Sequence, residues 1–184
     1  MHASLDGFVA GPKGEMDWIQ FDNEMFRVAD NLTGQSDAVI YGRVTWEMME
    51  AYWPTAGDKP NASEHSVNHS RWYNSVNKIV ASRSLKDKQQ PRTRFIGENL
   101  SDEIAKLKIE TGSDILLIGS PSIVHEMLAA DLIDDLWLFT NPILLGEGIP
   151  LFRNVTHLQK LQLESSKAYP CGVVCNHYSF KTED

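Results

Sequence analysis

"DAVIYGRVTWE", Asp37 to Glu47, joins a strand to the first turn of a helix with a single glycine between them. Val39, Ile40 and Tyr41 form an apolar run too short for a helix and closed by Gly42, the pattern of a strand buried on both faces. The same form returns in "NKIVAS" (Asn77 to Ser82), "TRFIG" (Thr93 to Gly97) and "DILLIG" (Asp114 to Gly119). Helical stretches lie between these runs. "DNEMFRVADNLTG" has Asp22 as a cap and Gly34 as a stop, "SDEIAKLKIETG" opens at Ser101 and closes at Gly112, and "PSIVHEMLAADL" carries Pro121 in its first turn, where the missing N–H is harmless. Alternation of strand and helix predicts an α/β protein with a mostly parallel sheet and helices on its faces.

The carboxyl end changes character. "DDLWLFTNPILLGEGIPLF" (Asp134 to Phe152) is an apolar strand followed by a glycine- and proline-rich loop, and "LQLESSKAYPCGVVCNHYSF" offers two extended segments about a Pro-Cys-Gly turn. Consecutive strands this close pair antiparallel. The polar stretch from Pro54 to Ser66 predicts a long loop, leading into a helix that carries His65, His69, Trp72 and Tyr73.

With 184 residues, 42% of them hydrophobic, the chain is long enough for one substantial core and short for two, so a single domain over 1–184 is expected. A net charge of -8 argues against nucleic acid or an anionic membrane surface as partner. No apolar run approaches the ~20 residues that span a bilayer, and no basic segment followed by an apolar one opens the chain, so a cytoplasmic protein is expected. Cys171 and Cys175 read as inert thiols. His65 and His69 share a helix face, yet no third ligand accompanies them, and no metal is expected.

In open α/β sheets, ligands bind beyond the carboxyl ends of the strands, where glycine turns let backbone N–H groups approach phosphate. Three junctions have this form. In "YGRVTWE", Gly42 ends the strand, Arg43 supplies a guanidinium and Thr45 a hydroxyl. In "ASRS", Ser82 and Arg83 leave another strand in a manner suited to a second phosphate. In "IGSPS", Gly119, Ser120 and Ser122 open a helix whose dipole favours an anion. Singly these are ordinary turns, solvated arginines and caps; three on one sheet point to a nucleotide. The G-x-G-x-x-G pattern of the common dinucleotide fold is absent.

The order of these blocks, with "SLDGFVAGPKGEMDW" at the start, "YWP" after "YGRVTWEMM", and the closing "GVVCNHYSF", resembles the dihydrofolate reductase superfamily. Within it, the branch similar to the reductase domain of the bifunctional riboflavin-biosynthesis deaminase/reductase fits best. The resemblance implies a dihydrofolate-reductase-like three-layer fold: a mixed central sheet of about eight strands with antiparallel carboxyl-terminal strands, and NADPH along the sheet's carboxyl edge. By position it implies that Gly42, Arg43 and Thr45 form the cofactor-phosphate turn, that Ser82 and Arg83 contact the 2'-phosphate, and that Gly119, Ser120, Pro121 and Ser122 form the pyrophosphate loop. It also makes "SLDG" the place where the first strand ends over the nicotinamide, with Gly7 permitting the bend, Asp6 as the catalytic carboxylate and "FVAGPKG" as a covering flap. Gly119-Ser120 stands where the family has paired glycines, and Ile118 where the riboflavin enzymes carry an acid.

Trp18, Trp46 and Trp53 are candidates to stack on a flat substrate. The expectation is an NADPH-dependent reductase of a pteridine-like or other flat nitrogen heterocycle, reducing a C=N or C=O group. The alternative is a non-catalytic NADP-binding protein of the same fold. The resemblance further implies a homodimer through the late strands, with "LWLFTNPILL" as partner surface.

Overall fold

The runs read as strands and helices take those forms in the computed structural model, which describes residues 1–110, 112–153, 155 and 157–180. Their order is β1 (His2–Ser4), β2 (Phe8–Ala10), α1 (Asn23–Gly34), β3 (Ser36–Gly42), α2 (Arg43–Ala56), α3 (Glu64–Ser75), β4 (Asn77–Ala81) and β5 (Thr93–Ile96). There follow α4 (Leu100–Lys108), β6 (Asp114–Leu117), α5 (Pro121–Ala129), β7 (Asp135–Asn141), β8 (Ile149–Pro150), β9 (Leu161–Ala168) and β10 (Val174–Phe180). The chain divides into two compact units: Phe26–Ile123 is one, and Met1–Met25 with the chain from Val124 onward is the other.

The middle unit is built on a four-stranded sheet in the order β5-β4-β3-β6. All three pairings in it are parallel. Val39, Ile40 and Tyr41 of β3 are buried on both faces, as a parallel strand between helical layers requires. Val39, Tyr41, Trp46, Tyr73, Val76 and Val80 form its core cluster. The loop expected from Pro54 is shorter than its polarity suggested, because α2 continues through Pro54 to Ala56. A proline in the last turn forfeits one helical bond without breaking the helix. The Pro54 carbonyl is taken up by the Asn74 side-chain amide at 3.0 Å. Ser63 caps α3 by accepting from the Ser66 N–H at 3.1 Å. α4 begins one residue before Ser101 and ends at Lys108, short of Gly112.

The other unit carries a sheet in the order β1-β7-β10-β9 and a two-stranded ribbon of β2 and β8. β1 runs parallel to β7, while β10 pairs antiparallel with both β7 and β9. Gly172, at φ +88°, makes the turn between β9 and β10, and its N–H reaches the Tyr169 carbonyl at 2.8 Å. Where one mixed sheet of about eight strands is expected, the described residues form ten strands in two four-stranded sheets and a two-stranded ribbon, with parallel pairing in the first sheet and antiparallel carboxyl-terminal strands in the second. In the stretch read as a partner surface, β7 lies between β1 and β10 with Leu136, Phe139 and Asn141 buried, whereas Pro142 and Leu144 are exposed. The outermost strand, β9, is exposed along all of its residues, Leu161 and Leu163 included. Among the described residues, no helix is long and apolar enough to cross a membrane.

Candidate functional site

Because β4, β3 and β6 are neighbours and parallel, the junctions that follow them open on one edge of one sheet. The central junction and the one after β6 meet. Ser120 Oγ accepts the Gly42 N–H at 2.7 Å and shares a hydrogen bond with Thr45 Oγ1 at 2.8 Å. The approach is close enough that a Cβ on Gly42 would sit 2.7 Å from Ser120 Oγ, so any larger residue there has to displace that hydroxyl. Gly119 and Ser120 take successive left-handed conformations, φ +65° and +58°. For serine this costs on the order of 1–2 kcal/mol, which its two hydrogen bonds, at about 1 kcal/mol each, offset. A serine can therefore stand where the resembled family has a second glycine.

Helix ends show a consistent difference in charge. α1, α3 and α4 carry Glu24, Glu64, and Asp102 with Glu103, in their first turns. α2 and α5, which start from Gly42 and Ser120, carry no acid there, and α2 has no side-chain cap. Acids normally complement the positive end of the helix dipole; leaving them out of these two helices keeps that potential for an anion from outside. Pro121 is the first residue of α5, and Ser122 behind it is exposed.

Arg43, the first residue of α2, is exposed and donates from Nη1 to both oxygens of Glu47, at 3.0 and 2.9 Å. On the far side of β3, Ser82 follows β4, and its hydroxyl accepts the Leu85 N–H at 3.2 Å. Arg83 is exposed, and its backbone crosses the carboxyl end of β5, since a Cβ on Gly97 would lie 3.7 Å from Arg83 Cα and 3.3 Å from Lys86 Cβ. Lys88 places its ammonium 4.5 Å from the Trp46 ring centre. Sequence reading did not single out Glu47, Lys86 or Lys88. The basic spacing Arg83, Lys86, Lys88 was its available signal, and nothing in the sequence marked Glu47 as the partner of Arg43.

The tryptophans separate. Trp46 is 3% exposed and packs edge-on against Phe95. Trp53 donates from Nε1 to Met49 Sδ at 3.0 Å, and its ring lies 3.9 Å from that of His69. Trp18 belongs to the other unit, where its indole N–H reaches the Glu15 carbonyl at 3.0 Å. His65 Nδ1 is paired with Asp30 at 2.7 Å, while His69 is buried with neither ring nitrogen hydrogen-bonded. Burial, with the neighbouring His65, lowers the His69 pKa to about 4. Among the described residues no group of three or more histidine, cysteine or acidic side chains is placed to hold a metal ion.

Asp6 occupies the turn between β1 and β2, in the unit that also carries the loop before β8. Gly7, at φ +86°, makes the turn. The Asp6 carboxylate accepts the Ser4 hydroxyl at 2.6 Å, the Gly146 N–H at 2.8 Å and the Leu145 N–H at 3.1 Å. The Ser4 hydroxyl and these backbone donors hold its carboxyl below the ordinary range, so it is ionised at neutral pH. The first half of the anticipated flap, Phe8–Ala10, is a strand paired with Ile149 and Pro150; the turn Gly11 to Gly14 follows it, closed by a 3.0 Å backbone hydrogen bond.

The likenesses to known proteins run along the whole chain. YyaP, an uncharacterized protein of Bacillus subtilis (strain 168), is 32% identical over 172 residues, covering 93% of this chain and 87% of that one. A crystal structure of a candidate riboflavin biosynthesis protein from Shewanella sp. PV-4 matches with a TM-score of 0.73 at 24% identity, over 99% of this chain and 97% of that one. Dihydrofolate reductase from Enterococcus faecalis, complexed with NADP(H), matches with a TM-score of 0.64 at 14% identity, over 98% and 94%. The fold is thus dihydrofolate-reductase-like. The family model for the RibD C-terminal domain spans residues 1–175, across both compact units, and the chain belongs to that family.

Proposed function

We propose that this protein is an NADPH-dependent reductase of a pteridine-like or other flat nitrogen heterocycle. The observation that carries it is the contact of the Gly42 turn with the Ser120 loop, at the starts of two helices that lack first-turn acids, beside Arg43 on the same sheet edge. The donors suit a dinucleotide: backbone N–H groups at the starts of α2 and α5 and the hydroxyls of Thr45, Ser120 and Ser122 for the pyrophosphate, with Gly42, its own N–H held by Ser120, and Gly119 shaping the two turns, Pro121 starting α5, and Ser82 with Arg83 for a 2'-phosphate. When bound, NADPH supplies a hydride for a C=N or C=O carbon.

In this scheme Asp6 acts as a carboxylate. It fixes the loop at Leu145 and Gly146 and orients water, which brings the proton, since an ionised acid with three donors has none to give. Trp18 provides the stacking surface. Trp46 and Trp53, packed within their unit, hold α2 and the turn before it instead of lying on the substrate. The open edge of β9 fits a second copy of the chain, making the protein a homodimer, and sedimentation at micromolar concentration would read a single-chain mass if that edge stays free.

Nucleotide binding tests the core of this. NADPH is expected to bind more tightly than NADH, and Arg83→Ala to weaken NADPH by roughly 10- to 100-fold while leaving NADH nearly unchanged. An equal loss for both nucleotides would take Arg83 away from the 2'-phosphate. The ionised, fully engaged Asp6 favours one second reading, an NADP-binding protein without turnover. NADPH oxidation with a panel of pterins and aminopyrimidines separates the two: turnover supports the reductase, tight binding without turnover the binder.

A further inference from the structure

The ion pair between Arg43 and Glu47 is poorly arranged as a helix stabiliser. Both side chains are about half exposed, at 45% and 46%, and pairs of that kind contribute little. The favourable order along a helix places the acid toward the amino end and the base toward the carboxyl end. Here the base is the first residue of α2, where the dipole opposes it, and the acid is one turn further in. With no acid in the first turn and no side-chain cap, nothing else on that turn neutralises Arg43.

The pair makes sense as a holding contact. Glu47 draws the guanidinium one turn into α2, where Nη1 donates to both carboxylate oxygens at 2.9 and 3.0 Å, an oxygen pair of the kind a phosphate also offers. We propose that Glu47 is an internal competitor of the nucleotide's phosphate for Arg43, and that its charge sets how tightly the site takes NADP(H). This rests on the cofactor reading given above. A phosphate of the nucleotide displaces the carboxylate from the guanidinium, so binding has to break the Arg43–Glu47 contact first. Glu47 touches neither nucleotide nor substrate, so it is a positioning residue acting through Arg43.

The test is a double-mutant cycle read by calorimetry with 2',5'-ADP and with NADPH. At low ionic strength, Glu47→Gln is expected to tighten both ligands by roughly 3- to 10-fold. The gain should shrink as salt rises, because the groups are exposed. In an Arg43→Ala background the same substitution should change nothing. A merely structural role for Glu47 would move the unfolding midpoint and not produce an Arg43-dependent gain. Unchanged or weaker binding in Glu47→Gln, or a gain that persists without Arg43, overturns the competitor role while leaving the cofactor site standing. Failure of the unaltered protein to bind either nucleotide at millimolar concentration overturns the cofactor reading, and this inference with it.

Discussion

Gly148→Ala is expected to destabilise the protein by roughly 3–5 kcal/mol, combining a backbone conformation reserved for glycine with a steric overlap. Gly148 has φ +158°, and a Cβ there would press directly into the Ala10 carbonyl oxygen and lie 3.3 Å from the Phe8 ring. The Ala10 carbonyl is backbone, and Ala10 is registered against Ile149 in the β2–β8 ribbon, so neither partner can rotate away. The neighbouring Gly146 provides the control. Its φ of +77° is also left-handed, but no atom lies within 4 Å of the added Cβ, so Gly146→Ala should cost only about 1–2 kcal/mol. Urea unfolding of the two variants distinguishes overlap from strain. Similar losses at both positions would mean that the β2–β8 ribbon is not tightly closed.

His69 should dominate the acid response of the unit that contains it. It is 7% exposed, neither ring nitrogen is hydrogen-bonded, and burial with the adjacent His65 lowers its pKa from 6.5 to about 4. Between those values the unfolded chain binds the proton and the folded chain does not, so stability falls as pH drops from about 6.5 toward 4 and is fully present above that window. The shift corresponds to a loss of roughly 3 kcal/mol by the bottom of the window. His69→Leu removes the titration together with an unsatisfied buried group. Its stability should therefore be flatter over the same range and exceed that of the unaltered protein at pH 4.5. His2 titrates in the same direction, with its pKa lowered to about 3 by burial and the adjacent amino terminus, so the difference between the two proteins, not the slope of either, isolates His69. A difference that stays constant from pH 4 to 7 would show that His69 is solvated.

The strands of the middle unit were legible because each is a short apolar run stopped by glycine, a pattern that β3 justifies with three consecutive buried residues. That the junctions after β3, β4 and β6 share one edge was legible for the same reason, since a parallel sheet sends every such junction to the same side. What stayed hidden depended on contacts between distant residues. Lys78 lies in an apolar strand, yet it is buried with its ammonium 4.5 Å from the Tyr73 ring centre, and Tyr73 in turn donates to Glu50 at 2.7 Å. No local pattern announces such a network. Pro54 was misleading because a breaker acts weakly in a last turn. The tryptophans clustered by chain order toward a pocket, whereas packing drew Trp46 and Trp53 inward, where most of their surface is removed from water. Asp6 carried the sharpest ambiguity: its type and position were plain, but its partners, Leu145 and Gly146, are distant in the chain.

The interleaving of the two units constrains how the chain is made. Residues 26–123 form an uninterrupted stretch that contains every strand of its sheet, so the pairings of that sheet need nothing synthesised after residue 123. β1 has no such option: among the described residues its strand partner is β7, His2 facing Phe139, which belongs to the last third of the chain. Until that last third is made, Ala3, together with Val9 of β2, lacks the Leu151 that packs with them in the finished fold.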